Sequence, residues 1–235
     1  GSLARIDGGG GDAAVLAAED TKMVPSAQRH AKRMRTLGQS CNVRGTEPVR
    51  LAVLMYGLFR NLSSTQDSIA TNLIAPARSF ANGAIDVWVH ENEVDTLKNV
   101  RSGEQASTID QSFAGRIPDL CGWQVEVQDD IDAAHHLVAR ANATFAKFAP
   151  RFPRSVYPRD KLGYDAPTFV NLYRSRYSAW QVATLVQKHE REAGWQYTHA
   201  IFARPDTALM SPVGLSAALL EGADVLLPNF AMNLG

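Results

Sequence analysis

Apolar residues fall along this chain in short consecutive runs, separated by amphipathic stretches and punctuated by turn residues. Arg50 to Tyr56 (RLAVLMY) is apolar without alternation, the pattern of a strand covered on both faces. Gly57 ends the run, and Leu58-Phe59-Arg60-Asn61 reads as a strand-to-helix turn. Ser64 or Thr65 is expected to cap a helix that continues to about Phe80. Asn82-Gly83 then breaks the chain, and Ile85 to His90 (IDVWVH) forms a second strand. Strand–helix–strand of this length calls for a right-handed crossover and gives a parallel pair.

Residues 92–120 are polar, with one helix expected near Val94–Val100 and loop after it. Trp123 to Val127 alternates and reads as a half-exposed third strand, after which Asp129 or Asp130 caps a helix to about Phe148. Pro150, Pro153 and Pro158 interrupt the chain in a basic loop with Arg151, Arg154, Arg159 and Lys161. A long amphipathic helix follows over Phe169 to Glu192, with Asp165 as its cap and Pro167 in its first turn. Phe169, Leu172, Tyr173, Trp180 and Ala183 share a face and predict core packing. Gly194 stops this helix. Thr198 to Met210 (THAIFARPDTALM) begins as a buried strand and breaks into Arg204-Pro205-Asp206, and Asp224 to Pro228 reads as one more short buried strand. The expectation is an α/β domain with a mostly parallel sheet flanked by helices, spanning residues 47–235. Residues 1–46, with four consecutive glycines (Gly8 to Gly11) and the basic Arg29, Lys32, Arg33 and Arg35, read as a flexible leader.

Composition narrows the function classes. Lys+Arg and Asp+Glu both number 24, so the formal net charge is zero and nothing draws the chain globally to nucleic acid or to an anionic membrane. No run of about 18 apolar residues is present, so no membrane span is expected. Two cysteines, Cys41 and Cys121, are too few for a disulfide scaffold or a Cys-based zinc site; they could pair in a secretory compartment, but read in preference as two small buried hydrophobes. The sequons at Asn61 and Asn142 fit a secretory route (Golgi or ER lumen), although such triplets also arise by chance. The chain starts at Gly1 without an initiator Met, which reads either as a Gly-Ser scar of cloning or as the start of a piece excised from a longer chain, with room for a signal or anchor upstream.

Three places carry candidate chemistry. Gly57 lets backbone approach a ligand closely after the first strand, and Arg60 can add a bidentate phosphate contact; the plainer reading is a tight turn with a surface arginine. Asp86 and His90 are candidate binding groups on the second strand: Asp86 begins or precedes it, while His90-Glu91-Asn92 lies at its carboxyl end and would face the same crevice as the first turn. His90 and Glu91 are sequence neighbours that point to opposite faces, which argues against a joint role. His135-His136 reads as a solvated or capping pair. At Arg204-Pro205-Asp206 a proline fixes the direction of a carboxylate at a strand end, where Asp206 can hold Mg²⁺ or Mn²⁺ and Arg204 can meet a phosphate. The plainer reading is an Arg–Asp ion pair that closes a loop.

The order of these elements resembles a set of glycosyltransferase-like proteins with the nucleotide-diphospho-sugar (GT-A) fold. LAVLMYGLFR, then DVWVH, then a helix with a Glu near its end, then Tyr197 to Asp206 and D-V-L-L-P-N carry the resemblance over roughly residues 49–229. It implies a nucleoside-diphosphate sugar held by Gly57 and Arg60, with Asp206 and Arg204 where the family's D-x-D-like acid supports a divalent metal. It further implies sugar transfer to a glycan or other hydroxylated acceptor. R-P-D offers one acid where D-x-D has two, and the acceptor-side half would lie beyond Gly235. The competing reading is a non-catalytic α/β docking module that kept the fold and lost the chemistry.

Overall fold

The computed structural model describes residues 41–59, 62–94, 97–99, 104–107, 117–148 and 166–216. Four strands form an all-parallel sheet: β1 (Leu51–Gly57), β2 (Ile85–Glu93), β5 (Leu120–Val127) and β6 (His199–Ala203), in the order β5-β2-β1-β6. Register is continuous across the centre, from Leu51 opposite Ile85 to Gly57 opposite Glu91 and from Leu51 opposite His199 to Met55 opposite Ala203. This is the parallel, helix-flanked α/β sheet expected from the unbroken apolar runs. Between β2 and β5, where a helix is predicted near Val94–Val100, the chain instead forms an antiparallel ribbon of β3 (Leu97–Asn99) and β4 (Glu104–Ser107). Two more details depart from expectation. β2 continues through His90 to Glu93, and β6 is an edge strand among the described residues, with Phe202 53% exposed rather than buried.

One face of the sheet packs against the helical segment that follows β1. That segment comprises α1 (Leu62–Ile69), a π turn (Ala70–Ile74) and α2 (Ala75–Phe80). Leu73, Ile74 and Ala77 from it meet Val53, Met55, Val87, Val89 and Trp123 from the strands. The π turn has a cause in the sequence. Pro76 has no N–H to offer the Asn72 carbonyl and its ring would collide with that carbonyl in a regular helix, so the turn widens and Ala75 N reaches back to Ala70 O. Burying side chains of this kind is worth roughly 1.5–3 kcal/mol each, which is what fixes the register against the core.

The opposite face is covered by α5 (Ala166–Ala193), whose Val182 and Val186 lie on Ala52, Leu54, Trp88 and Cys121. Phe169 is buried as predicted, but Leu172 and Trp180 are exposed, Trp180 by 58%; the helix turns Val170, Tyr177, Ser178, Val182 and Val186 inward instead. α3 (Gln128–His135) and α4 (Leu137–Phe148) lead from β5 towards this layer, with Ala141 and Phe145 packed on Phe169. Asp129 and Asp130 lie inside the first turn of α3 and Val127 takes the cap position, so neither aspartate is the cap. His136 adopts a left-handed conformation (φ 52°) that separates the two helices, and it caps the first of them. Pro167 sits in the first turn of α5 and Gly194 (φ 75°) follows its last residue. The predicted cap Asp165, the basic loop at 150–161, the leader before Cys41 and the strand at Asp224–Pro228 lie outside the described residues.

A strap from Cys41 to Val43 closes the amino end of the sheet. Cys41 and Cys121 form a disulfide with Cα atoms 4.7 Å apart, so they are paired, against the reading of two separate hydrophobes. Eighty residues separate them in sequence, and only the return of β5 beside β2 brings them together. The strap amides of Asn42 and Val43 donate to the Asp86 carboxylate at 2.6 and 3.3 Å, while Asn42 Nδ2 donates to Ile85 O and Asp119 Oδ1.

Candidate functional site at the carboxyl rim

Because all four strands run the same way, their carboxyl ends share one rim. The chain builds outward from β1 through β2 to β5 and then returns to place β6 on the other side of β1. The order therefore reverses between β1 and β6, and in an open α/β sheet such a switch point leaves a crevice beyond the strand ends. Gly57 terminates one wall with φ at 106°, a conformation that favours glycine. Arg204-Pro205-Asp206 terminates the other, one residue past Ala203.

The loop after β6 is fastened to the segment after β1 by a polar stripe on α1 and the π turn. Thr65 Oγ1 donates to Pro205 O at 2.6 Å, and Leu209 N donates to Ser68 Oγ at 3.3 Å. Asn72 Nδ2 donates to Leu209 O at 2.6 Å. Val213 N then donates at 2.8 Å to the Asn72 carbonyl, the one that Pro76 cannot serve. Thr65, Ser68 and Asn72 follow helical spacing, a pattern that reads in sequence as a solvated face; their partners lie about 140 residues away. Thr65 is thus a buried tie between the two walls and not a helix cap.

Within the Arg204-Pro205-Asp206 loop, Arg204 Nε and Nη2 donate to the two Asp206 oxygens at 2.9 and 2.7 Å. The hydrogen bond it donates to Asp206 raises the guanidinium above its ordinary range, against the opposing effect of burial. The arginine side chain stays 42% exposed while that of the aspartate is 6% exposed. Asp206 takes two of the five N–H donors of the guanidinium.

His90 and Gly57 are joined through Ser178, which the sequence reading missed. Gly57 N donates to Ser178 Oγ at 2.8 Å, and that oxygen lies 2.7 Å from His90 Nδ1. His90 Nε2 is 2.8 Å from Glu126 Oε2, which also accepts from Tyr177 OH at 3.1 Å; Gln181 Nε2 donates to that phenol. Serine, histidine and glutamate in this sequence suggest a nucleophilic triad, but Ser178 and His90 are wholly buried and the serine oxygen already serves the Gly57 amide. The assembly holds the glycine turn in place. Burial alone would raise the Glu126 carboxyl, yet the His90 hydrogen bond and charge, with Tyr177 and His135, hold it below its ordinary value. Burial pushes the Tyr177 hydroxyl up to about 12. A serine among the inward positions of an otherwise apolar helix face was the available signal.

Asp86 stands apart from this rim. It is opposite Ala52 near the amino end of β2, four residues and roughly 13 Å of strand from His90. Its carboxylate accepts from the strap and from Tyr197 OH at 2.7 Å, and Tyr197 OH also accepts from Trp88 Nε1. Burial raises the Asp86 carboxyl, with Tyr197 and the strap amides opposing it. Arg60 lies outside the described residues. On the other face of β2, burial drives the Glu91 carboxyl up to about 7 and Glu93 adds to the effect. Trp123 beside it acts in the opposite direction, although its indole N–H closes no hydrogen bond among the described residues. Asn92, on the same face as His90, keeps Oδ1 buried with no hydrogen-bond partner among the described residues. Comparison with protein-family models, curated proteins and solved structures returns no match, so this rim is read from its own chemistry.

Proposed function

We propose that the chain binds a nucleoside-diphosphate sugar at the switch point between β1 and β6 and serves glycosyl transfer to an acceptor hydroxyl. The observation that carries this reading is the reversal of strand order, which brings Gly57 and Arg204-Pro205-Asp206 to one rim at the carboxyl ends of neighbouring strands. Gly57 admits a ligand close to the backbone, and the amino end of α1 follows it with the polarity that favours phosphate. The donors of Arg204 beyond those on Asp206 supply positive charge for a diphosphate. In the transfer, the acceptor oxygen replaces the diphosphate oxygen at the anomeric carbon, the acceptor gives up its proton and the nucleoside diphosphate leaves as an anion. Charge on that leaving group is what a fixed guanidinium stabilises. His90 acts as a positioning residue through Ser178 and the Gly57 amide.

A divalent ion fits the Asp206 donor set poorly. Both carboxylate oxygens accept from Arg204, and the described residues gather no group of three metal-ligating side chains there. No step is derived through such an ion. The same ion pair, which engages both carboxylate oxygens within the loop, is the observation that favours the second reading, a binding or docking module without turnover.

A thermal-shift screen of nucleoside diphosphates and their sugars, each with and without Mn²⁺, separates the two readings. Binding is expected to stabilise the fold by roughly 2–3 kcal/mol at a hundredfold excess over Kd, and to be lost in Arg204→Ala. If Asp206→Ala removes only the Mn²⁺-dependent part, the metal has a role at this carboxylate. A screen in which no nucleotide moves the midpoint overturns the donor-binding reading and leaves the docking module.

A further inference from the structure

At the opposite end of the sheet from this rim, three side chains from three elements converge. Cys41 on the strap, Cys121 on β5 and His189 on α5 place two sulfurs and one imidazole nitrogen all within 4.8 Å of one another. We propose that they form a redox-gated metal site: a disulfide in the oxidised chain, and a two-thiolate, one-imidazole site for a thiophilic divalent cation such as Zn²⁺ once the disulfide is reduced.

Two observations beyond proximity support this. His189 Nε2 is buried and has no hydrogen-bond partner among the described residues, although leaving such an atom unpaired costs about 1–3 kcal/mol. Its ring is nevertheless held in place, 5.0 Å from that of Trp88 and 5.5 Å from that of Trp195, with Tyr197 beyond. An imidazole fixed by an aromatic wall, with one ring nitrogen beside two sulfurs and Nε2 without a hydrogen-bond partner among the described residues, has the attributes of a ligand. Second, the strap does not depend on the disulfide alone. Asp86 holds the Asn42 and Val43 amides next to Cys41, and Asn42 also bonds Ile85 O and Asp119. Opening the sulfur bridge leaves Cys41 docked where it can still act with Cys121.

The chemistry balances with a dithiol as reductant. The dithiol gives two electrons and two protons and becomes a disulfide, while the Cys41–Cys121 bond breaks to two thiols. Each thiol loses its proton on binding the cation. Zn–S bonds of about 2.3 Å and Zn–N bonds of about 2.0 Å suit a cluster this tight, and three protein ligands leave a fourth position for water. Cys41 is only half-buried, which gives an ion a way in; Cys121 is buried.

The test uses the whole chain, reduced without oxygen and shown by thiol titration to carry two free thiols. Co²⁺ added to it should give one equivalent of a four-coordinate site with a thiolate-to-cobalt charge-transfer band that Zn²⁺ displaces, and the oxidised chain should give none. His189→Gln leaves both cysteines in place and should weaken Co²⁺ binding by about tenfold or more. Circular dichroism on the same samples reports the fold. Absence of the charge-transfer band, equal affinity in His189→Gln, or a reduced chain that unfolds and does not recover with metal would each overturn the proposal.

Discussion

Near the amino end of β2, Asp86 has both carboxylate oxygens engaged, by two strap amides and by Tyr197, and a disulfide closes the strap over the sheet. At the carboxyl end of the same strand, Glu91 is buried with a carboxyl pushed up to about 7, and Asn92 Oδ1 has no partner among the described residues. Both ends are equally out of water, so exposure does not distinguish them. The difference lies in how far buried polar groups are satisfied: the first end is locked, and the second retains polar groups at a cost in stability. Sites that bind and react are drawn from surfaces of the second kind.

The largest effect should come from breaking the locked end. Reducing the disulfide in the absence of metal releases a loop closed across 80 residues, which chain entropy values at about 4–5 kcal/mol. Urea unfolding under reducing conditions should show that loss, and an unchanged midpoint would mean that Asp86 alone carries the strap. Next comes the other end. Glu91 is raised from 4.5 to about 7, so its contribution to stability is complete below pH 4.5, falls as pH rises to about 7 and is flat above. Glu91→Gln should abolish that fall and leave the variant more stable above pH 8 by up to about 3 kcal/mol, measured as the urea midpoint across a pH series. Glu126 has the opposite sign: its lowered carboxyl contributes stability above its ordinary value that is lost in acid, as pH falls through the folded value.

A smaller effect tests the tie across the rim. Thr65→Val removes the hydroxyl from the buried Pro205 carbonyl and should cost about 1–2 kcal/mol. Under the proposed function it should also weaken nucleotide binding, which a simple structural tie would leave unchanged. Trp180→Ala should change stability by less than about 0.5 kcal/mol, since the ring is largely exposed; a larger loss would restore this residue to the core.

Much of the frame was legible in the sequence because continuous apolar runs have few alternatives. RLAVLMY reads as a doubly covered strand and IDVWVH as its parallel partner, and both are central in the sheet. The same logic overstated β6, since HAIFA is as apolar as a central strand while its Phe202 is exposed at an edge. Local pattern also misassigned Leu97–Asn99, where a short antiparallel pairing outweighed weak helical periodicity. Facing Gly57 with the Arg204 loop was foreseeable from a parallel sheet whose strand ends share a rim. Ser178, Glu126, Thr65 and the Cys41–Cys121 bond were not, because each depends on a partner brought close only by tertiary packing. Asp86 reads as the start of its strand and stands there, at the other end of β2 from the rim.

Pro76 inverts an ordinary expectation about sequence change. By intrinsic propensity, Pro76→Ala should favour a helix interior by as much as about 3 kcal/mol. Here alanine would restore a donor for the Asn72 carbonyl and set the helix in competition with Val213 for it. The segment would gain regularity as a helix and lose its grip on the chain that leaves the Arg204-Pro205-Asp206 loop. A survey that ranks substitutions by secondary-structure preference would score this one as an improvement, when its cost falls on the far wall of the crevice.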